Sequence, residues 1–155
     1  MKIGLIFYSQ TGNTKLVAEK LQEKLSSAGH TVNLEQITIT GPIPAQPGKF
    51  QLAGIPSPEN YDAVIFGSPV QAFALNPVMK VYLAQLPSLS GKKVACFVTK
   101  QIPLLWFGGT GAIARMKKNC AEKGASVAGT EIVVWSKSRR EESIRQCVEN
   151  LANLF

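Results

Sequence analysis

The side chains best suited to chemistry are concentrated in one polar segment close to the start of the sequence. Residues 9–14 read Ser-Gln-Thr-Gly-Asn-Thr, so hydroxyl and amide groups flank a glycine between a short apolar run and residues with helical spacing. Such a loop points backbone N–H groups and hydroxyl donors into one small cup, and the following helix N-terminus adds partial positive charge. The segment therefore predicts a phosphate-binding site. An ordinary helix cap is the alternative, but a cap needs only one such side chain.

Two other nucleotide-binding motifs receive less support from the sequence than this phosphate loop. The motif GxxxxGK[ST] does not occur, and Asn13 rather than lysine follows Gly12. Residues 109–114 match the GxGxxA pattern of dinucleotide-binding proteins, and Glu131 stands at a suitable distance from them. However, the preceding strand is predicted to end near Thr99, which leaves a long loop before the first glycine. Dinucleotide binding through these glycines is therefore the less favoured alternative.

Composition and charge narrow the class of protein. The length of 155 residues, 45% of them hydrophobic, predicts one globular domain over residues 1–155. No apolar run reaches the roughly eighteen residues of a membrane span, and the amino terminus lacks a signal-peptide core. We therefore expect a cytoplasmic location and no membrane contact.

The three cysteines form no CxxC pair and the histidine is single, so we expect core thiols and no metal site. The net charge of +7 is scattered along the chain, which favours a solvated surface over nucleic-acid binding.

Apolar runs and helical stripes alternate along the chain. Predicted strands cover residues 2–8, 31–36, 63–67, 94–98 and 127–135, and a predicted helix follows each strand except the second. Five prolines and three glycines within residues 38–60 predict a long loop there. Asn76 and Pro77 predict the start of the second helix, and residues 138–141 have the form of a capping box for the last. The alternation predicts an α/β fold of three layers, a doubly wound parallel sheet with helices on both faces.

The chain also resembles a known family. The segment Ser-Gln-Thr-Gly-Asn-Thr after the first strand resembles the FMN phosphate loop of flavodoxins. Residues 67–70, Gly-Ser-Pro-Val, lead into Asn-Pro-Val-Met-Lys at 76–80 and resemble the second flavin loop of flavodoxin-like electron carriers and NAD(P)H:quinone reductases. Residues 99–109 occupy the place of the third loop. The resemblance covers essentially the whole chain and implies a flavodoxin-like fold with strand order 2-1-3-4-5 and one non-covalently bound FMN.

The resemblance assigns the FMN phosphate to the first loop and the flavin ring to the other two. A flavin needs an apolar slot, backbone hydrogen bonds and shielding from water, so rings and close-approaching backbone are expected around it. Phe73, Trp106 and Phe107 can supply rings, and Trp106 is the preferred stacking partner. The predicted cofactor-binding residues are Ser9, Gln10, Thr11, Gly12, Asn13, Thr14, Ser68, Pro69, Val70, Gln71, Phe73, Thr99, Lys100, Gln101, Trp106, Gly108 and Gly109.

The resemblance implies electron transfer through the flavin, with no side chain acting as acid or base. The alternatives are an NAD(P)H-dependent FMN or quinone reductase and, less favoured, a module without cofactor. Flavodoxins are usually acidic, whereas this chain is basic, and no Asp or Glu occurs between Ser90 and Lys118. Lys100 is therefore predicted to stabilise the reduced, anionic flavin. The redox partner, either a protein or NAD(P)H and a quinone, and the oligomeric state stay open.

Overall fold

The computed structural model describes residues 1–101 and 108–155. Its helices and strands follow the hydrophobic pattern of the sequence. In chain order they are β1 (Lys2–Phe7), α1 (Asn13–Ser27), β2 (Thr31–Gln36), β3 (Thr38–Thr40), β4 (Gln51–Gly54), β5 (Ala63–Gln71), β6 (Ala74–Leu75), α2 (Pro77–Gln85), β7 (Lys93–Lys100), α3 (Gly109–Glu122), β8 (Ser126–Val134) and α4 (Arg140–Ala152).

Five of the strands form one parallel sheet in the order β2-β1-β5-β7-β8. β1 pairs with β2 on one side and with β5 on the other, so that Leu5 lies between Leu34 and Ile65. β5 pairs in turn with β7, and β7 pairs with β8. The predicted five-stranded parallel sheet and its 2-1-3-4-5 order are confirmed. The short strand β6 adds an antiparallel pairing to the end of β5.

Helices cover both faces of the sheet. Successive side chains of a strand point to opposite faces, so a strand buried on both sides is apolar throughout. Leu5, Ile65 and Phe97 pack with α1 and α4 on one face. Phe66 and Cys96 pack with α2 and α3 on the other. The predicted three-layer architecture is confirmed.

The prediction of a long loop over residues 38–60 is wrong. β3 pairs antiparallel with β4, and residues 41–50 connect the two strands. The prolines lie in the connecting segment or after β4, so none of them removes a ladder hydrogen bond. Ile39, Phe50 and Leu52 pack against the core cluster that contains α2 and α3. Residues 38–54, which we call the hairpin, are therefore anchored on that face of the sheet.

The capping box predicted for the last helix is also wrong. α4 begins at Arg140, with Arg139 at the N-cap position and no side-chain cap. The Ser136 carbonyl accepts the N–H groups of Arg139 at 3.0 Å and of Arg140 at 2.9 Å, which closes a turn ahead of the helix. Because this turn delays the start of α4, Ser138 does not occupy the position that a capping box requires.

The cysteines lie in the core as free thiols, which confirms their prediction as core residues. The Sγ atoms of Cys96 and Cys120 lie 4.0 Å apart, and this contact together with burial raises the pKa of the Cys96 thiol. No helix in the described part of the chain is long and apolar enough to cross a membrane.

Candidate cofactor site

Three of the predicted loops meet in a cleft at the carboxyl ends of β1, β5 and β7. Ligands of open parallel sheets bind outside these strand ends, where the strand order reverses, and the reversal here falls between β1 and β5. The cleft has a volume of about 320 Å³, which is in the range of small-molecule sites. Its lining residues are Gln10, Thr11, Asn13, Thr14, Pro44, Pro69, Val70, Gln71, Ala72, Thr99, Lys100 and Gln101.

The first turn of α1 leaves backbone donors available at the cleft. Gly12 is the N-cap residue with a φ of 93°, a left-handed conformation that suits glycine, and it offers no side chain to cap the helix. Ser9 Oγ accepts the N–H groups of Gly12 and Lys15, both at 3.2 Å, and so fixes the loop. The N–H groups of Asn13 and Thr14 have no intrahelical acceptor, as is general for the first turn. Both residues line the cleft, so with the helix dipole they form a site for a phosphate-sized anion.

A buried pair of hydroxyls connects the first loop to the third. Thr14 Oγ1 and Thr99 Oγ1 lie 2.9 Å apart, and both residues are buried. Only one hydroxyl of such a pair donates to the other, which leaves one proton for another acceptor. Because both residues also line the cleft, that proton is placed to reach an anion bound there.

Lys100 ends β7 and lines the same cleft. Only 5% of the residue is exposed, and a side chain at Gly109 would come within 3.0 Å of its Cδ atom. Burial, and secondarily the charge of Arg139, lowers the pKa of the Lys100 ammonium. A nearby anion would offset both effects, because it favours the charged form. Lys100 therefore gives the cleft a cationic side chain whose charge an anionic ligand stabilises.

The second loop, which forms one wall of the cleft, ends in a strained turn. Ala72 and Phe73 connect β5 to β6 with φ angles of 49° and 61°. Such left-handed conformations of residues other than glycine cost roughly 1–2 kcal/mol each. Gly108 packs against the Phe73 backbone so closely that a Cβ atom there would lie 2.6 Å from Phe73 Cα. Glycine at position 108 is thus required for the start of α3 to lie against the backbone of the second loop.

The hairpin supplies a third wall of the cleft that is not predicted from the sequence. Pro44 lines the cleft, and the adjacent Ala45 is fully buried. Gln71 Nε2 donates to the Ala45 carbonyl at 2.6 Å, which ties the connecting segment of the hairpin to the second loop. The apolar stretch around Ala45, set among prolines and glycines, is the only sequence signal for this contact.

A chain of hydrogen bonds extends from Gln71 to the start of α2. Gln71 Oε1 accepts the Asn76 side-chain amide at 2.9 Å, and Asn76 Oδ1 accepts the Val78 N–H at 2.9 Å. The predicted N-cap at Asn76 and the predicted Pro77 at the first helical position are both present. Asn76 is fully buried, so its amide depends on these partners.

The structure brings most of the predicted site residues together. Ten of them line the cleft: Gln10, Thr11, Asn13, Thr14, Pro69, Val70, Gln71, Thr99, Lys100 and Gln101. Six others contribute to the loops without lining the cleft: Ser9, Gly12, Ser68, Phe73, Gly108 and Gly109. Trp106 lies outside the described residues, as does Phe107, so the assignment of Trp106 as the stacking partner stays a prediction.

The dinucleotide alternative finds no support in the geometry. Gly109 opens α3 and packs against Lys100 and Ile132 on one side of the sheet. Glu131 accepts the side-chain amide of Asn150, a residue of α4, on the other side. The acidic residue and the glycines therefore lie on opposite faces and cannot hold one ribose between them.

A larger groove of about 620 Å³ runs between α1 and α4. It is bordered by exposed charged side chains such as Lys20 and Glu23, and Arg145 pairs there with Glu142 and Glu149. The groove lies between two helix sides rather than at the strand ends, and it contains none of the predicted site residues.

Comparison with known families agrees with this geometry. The family model described as Flavodoxin matches residues 5–150, nearly the whole chain. The chain belongs to the flavodoxin family. Flavodoxins bind FMN and transfer electrons through it, so the predicted family, cofactor and general function are confirmed.

Individual proteins similar to this chain include flavodoxins, another flavoprotein and a dehydrogenase. An NAD(P)H dehydrogenase (quinone) of Archaeoglobus fulgidus is 29% identical over 122 residues, and the match covers 66% of this chain and 63% of the relative. Flavodoxin 1 of Bacillus cereus has the same fold, with a TM-score of 0.69 at 19% identity over 99% of this chain and 97% of that one. A Lactobacillus acidophilus flavoprotein solved in complex with FMN has a TM-score of 0.64 at 20% identity, over 92% and 97% of the two chains.

Proposed function

We propose that this flavodoxin carries electrons between redox partners and that its FMN phosphate binds in the cup at the start of α1. The first turn of that helix carries the proposal, because its Asn13 and Thr14 N–H groups face no helical acceptor and adjoin the cleft. The Thr11 hydroxyl and the free proton of the Thr14–Thr99 pair add donors. A doubly charged phosphate is stabilised by such donors and by the helix dipole.

The flavin ring would lie between the Pro69–Ala72 segment and the Thr99–Gln101 segment, with Pro44 as a third wall. Pro69, Val70 and Pro44 offer apolar surface, and the backbone of the strained turn offers hydrogen-bonding groups to the ring edge. When bound there, FMN accepts and donates electrons at its ring. The protein's part is to hold the ring, exclude water from its faces and set the surrounding charge.

The ionisable groups of the cleft meet the needs of a carrier. Among the described residues that line it, Lys100 is the one with an ionisable side chain. A carrier needs no proton-transferring side chain, whereas a residue with a lowered pKa and a positive charge can bias the flavin potential. The free thiols fit the reducing cytoplasm, where we place the protein as a single domain over residues 1–155.

A second candidate function is that of an NAD(P)H-dependent quinone reductase. The observation in its favour is the match to the Archaeoglobus fulgidus dehydrogenase. In that case a nicotinamide and then a quinone would use the same open side of the cleft.

Anaerobic stopped-flow reduction separates the two functions. The FMN-loaded protein is mixed with excess NADH or NADPH in one experiment and with a reduced two-cluster ferredoxin in another, and flavin bleaching is followed. A carrier is bleached by the ferredoxin within seconds and stays yellow with both nucleotides. Bleaching by NADPH or NADH within seconds contradicts the carrier and establishes the reductase.

A further inference from the structure

The carboxyl edge of the sheet, where the cofactor cleft opens, has an uneven distribution of charge. We define the cleft edge as the described residues that end the parallel strands or follow them, through the first turn of the next helix, together with the connecting segment of the hairpin. The described basic residues on this edge are Lys15, Lys49, Lys80, Lys100, Lys137, Arg139 and Arg140. Its described acidic residues are Glu141 and Glu142, both in α4, and Glu142 is paired with Arg145.

The opposite edge of the sheet is mixed in sign. Acidic residues there include Glu23, Glu59, Asp62 and Glu122, and basic residues there include Lys2, Lys24, Lys92, Lys93 and Lys123. Asp62 accepts the backbone N–H of Lys2 at 2.7 Å, which holds one of these carboxylates at the amino end of the sheet. The excess positive charge of the chain is therefore concentrated on the edge that carries the cleft.

Exposed apolar side chains lie within this basic edge. Ile43 is 67% exposed next to Pro44, and Phe73 is 62% exposed at the strained turn. Both residues adjoin segments that line the cleft. An apolar centre within a charged rim is the usual composition of a protein docking surface.

We propose that the cleft edge is the docking surface for an acidic electron-transfer protein, which gives or takes one electron at a time through the bound flavin. The inference rests on the proposed carrier function and adds the class of its partner. Lys15, Lys49, Lys80 and Lys137 form the basic rim, and all four are exposed. Ile43 and Phe73 form the apolar centre.

Charge steering is the physical basis of this assignment. Opposite potentials raise the rate of encounter by roughly 10- to 1,000-fold at low salt. The screening length falls from about 30 Å at 0.01 M salt to about 8 Å at 0.15 M, so steering fades over that range. A basic protein that reacts at the same edge experiences repulsion, and its rate rises with salt instead.

Two protein probes of opposite charge test the proposal. Oxidised FMN-loaded protein is mixed with a reduced acidic two-cluster ferredoxin, from which one electron passes from an iron–sulfur cluster to the flavin. Reduced protein is mixed in parallel with basic cytochrome c, whose haem iron takes one electron. We expect the ferredoxin rate constant to fall about tenfold or more between 0.01 and 0.15 M salt and the cytochrome c rate constant to rise.

Charge-reversal variants locate the surface. The edge variant replaces Lys49, Lys80 and Lys137 by Glu. The matched control replaces by Glu the exposed residues Lys24, Lys117 and Lys118, which lie in the carboxyl-terminal halves of α1 and α3. Both variants lose the same net charge. We expect the edge variant to lower the ferredoxin rate at low salt about tenfold and the control to lower it less than threefold.

Equal effects of the two variants would overturn the proposal, because net charge alone would then account for the rate. A ferredoxin rate without salt dependence would overturn it too. If the edge variant slows reduction by NADPH and leaves the ferredoxin rate unchanged, the basic edge serves a nucleotide and the proposal is wrong. The FMN absorption spectrum and the rate of oxidation by a neutral benzoquinone report separately on the proposed carrier function, since neither depends on a docking surface.

Discussion

Replacing Gln71 by Met should release the hairpin from the cofactor cleft. The Gln71 side chain donates to the Ala45 carbonyl at 2.6 Å and accepts from the Asn76 amide at 2.9 Å. Methionine has nearly the same length and replaces neither hydrogen bond. Ala45 and Asn76 are fully buried, so their polar groups lose a partner that water cannot readily replace.

The structure sets the size of the effect. A buried polar group left without its partner costs about 1–3 kcal/mol, and two are affected. Methionine regains some apolar burial and the hairpin segment can relax toward solvent, so we expect a loss of about 2 kcal/mol in the free energy of unfolding. If Pro44 moves away, roughly 50 Å² of apolar contact with the ring is lost, which corresponds to about a tenfold weaker FMN affinity.

Urea unfolding of the apoprotein and FMN titration by fluorescence quenching measure the two effects separately. The matched control is Gln85→Met, which changes an exposed glutamine at the end of α2 and should leave both values unchanged. A Gln71→Met protein with unaltered stability and unaltered FMN affinity would refute the role of Gln71. Lower stability with unaltered FMN affinity would support the role of the hydrogen bonds in holding the hairpin. It would also show that Pro44 does not contact the flavin.

Three further predictions concern single side chains. Thr14→Val leaves the buried Thr99 hydroxyl without its partner and removes a donor to the phosphate. FMN affinity measured by titration should therefore fall on the order of tenfold or more, and an unchanged affinity would place the phosphate elsewhere. Lys100→Gln removes a cation from the cleft and should lower the reduction potential of bound FMN by on the order of 40 mV in a redox titration at low salt. A reduction potential that is unchanged or higher would show that the Lys100 ammonium does not stabilise the reduced flavin. Trp106→Phe should abolish most of the tryptophan quenching seen when FMN binds, whereas the control Trp135→Phe, at a buried residue next to Arg140, should preserve it.

Most of the fold follows from local features of the sequence. The runs around Leu5, Ile65 and Phe97 are apolar on both faces, and only a parallel sheet covered on both sides buries them completely. The loop of residues 9–14 is also a local feature, because its donors are adjacent in sequence and need only the start of a helix to converge. Its binding of the FMN phosphate stays a prediction.

The hairpin and its contact with Gln71 could not be predicted in the same way. The prolines of residues 38–60 favour a loop, whereas the structure pairs the short strands β3 and β4, whose partner residues are more than ten positions apart. Strand formation depends on such distant contacts and not on local composition alone. Gln71 is predicted to bind the cofactor and lines the cleft, and its side-chain amide also forms hydrogen bonds with Ala45 and Asn76. The sequence shows that the side chain can form hydrogen bonds, but the choice of partner is made by the fold.

The measurement that tests the central claim most directly is a comparison of FMN and riboflavin binding to the purified apoprotein. The two ligands share the flavin ring and differ in the terminal phosphate. Since that phosphate would receive several charge-assisted hydrogen bonds, each worth about 1.5–3 kcal/mol, we predict that FMN binds at least about a hundredfold more tightly. Equal affinities for the two ligands would contradict a phosphate site at the N-terminus of α1 and with it the proposed position of the cofactor.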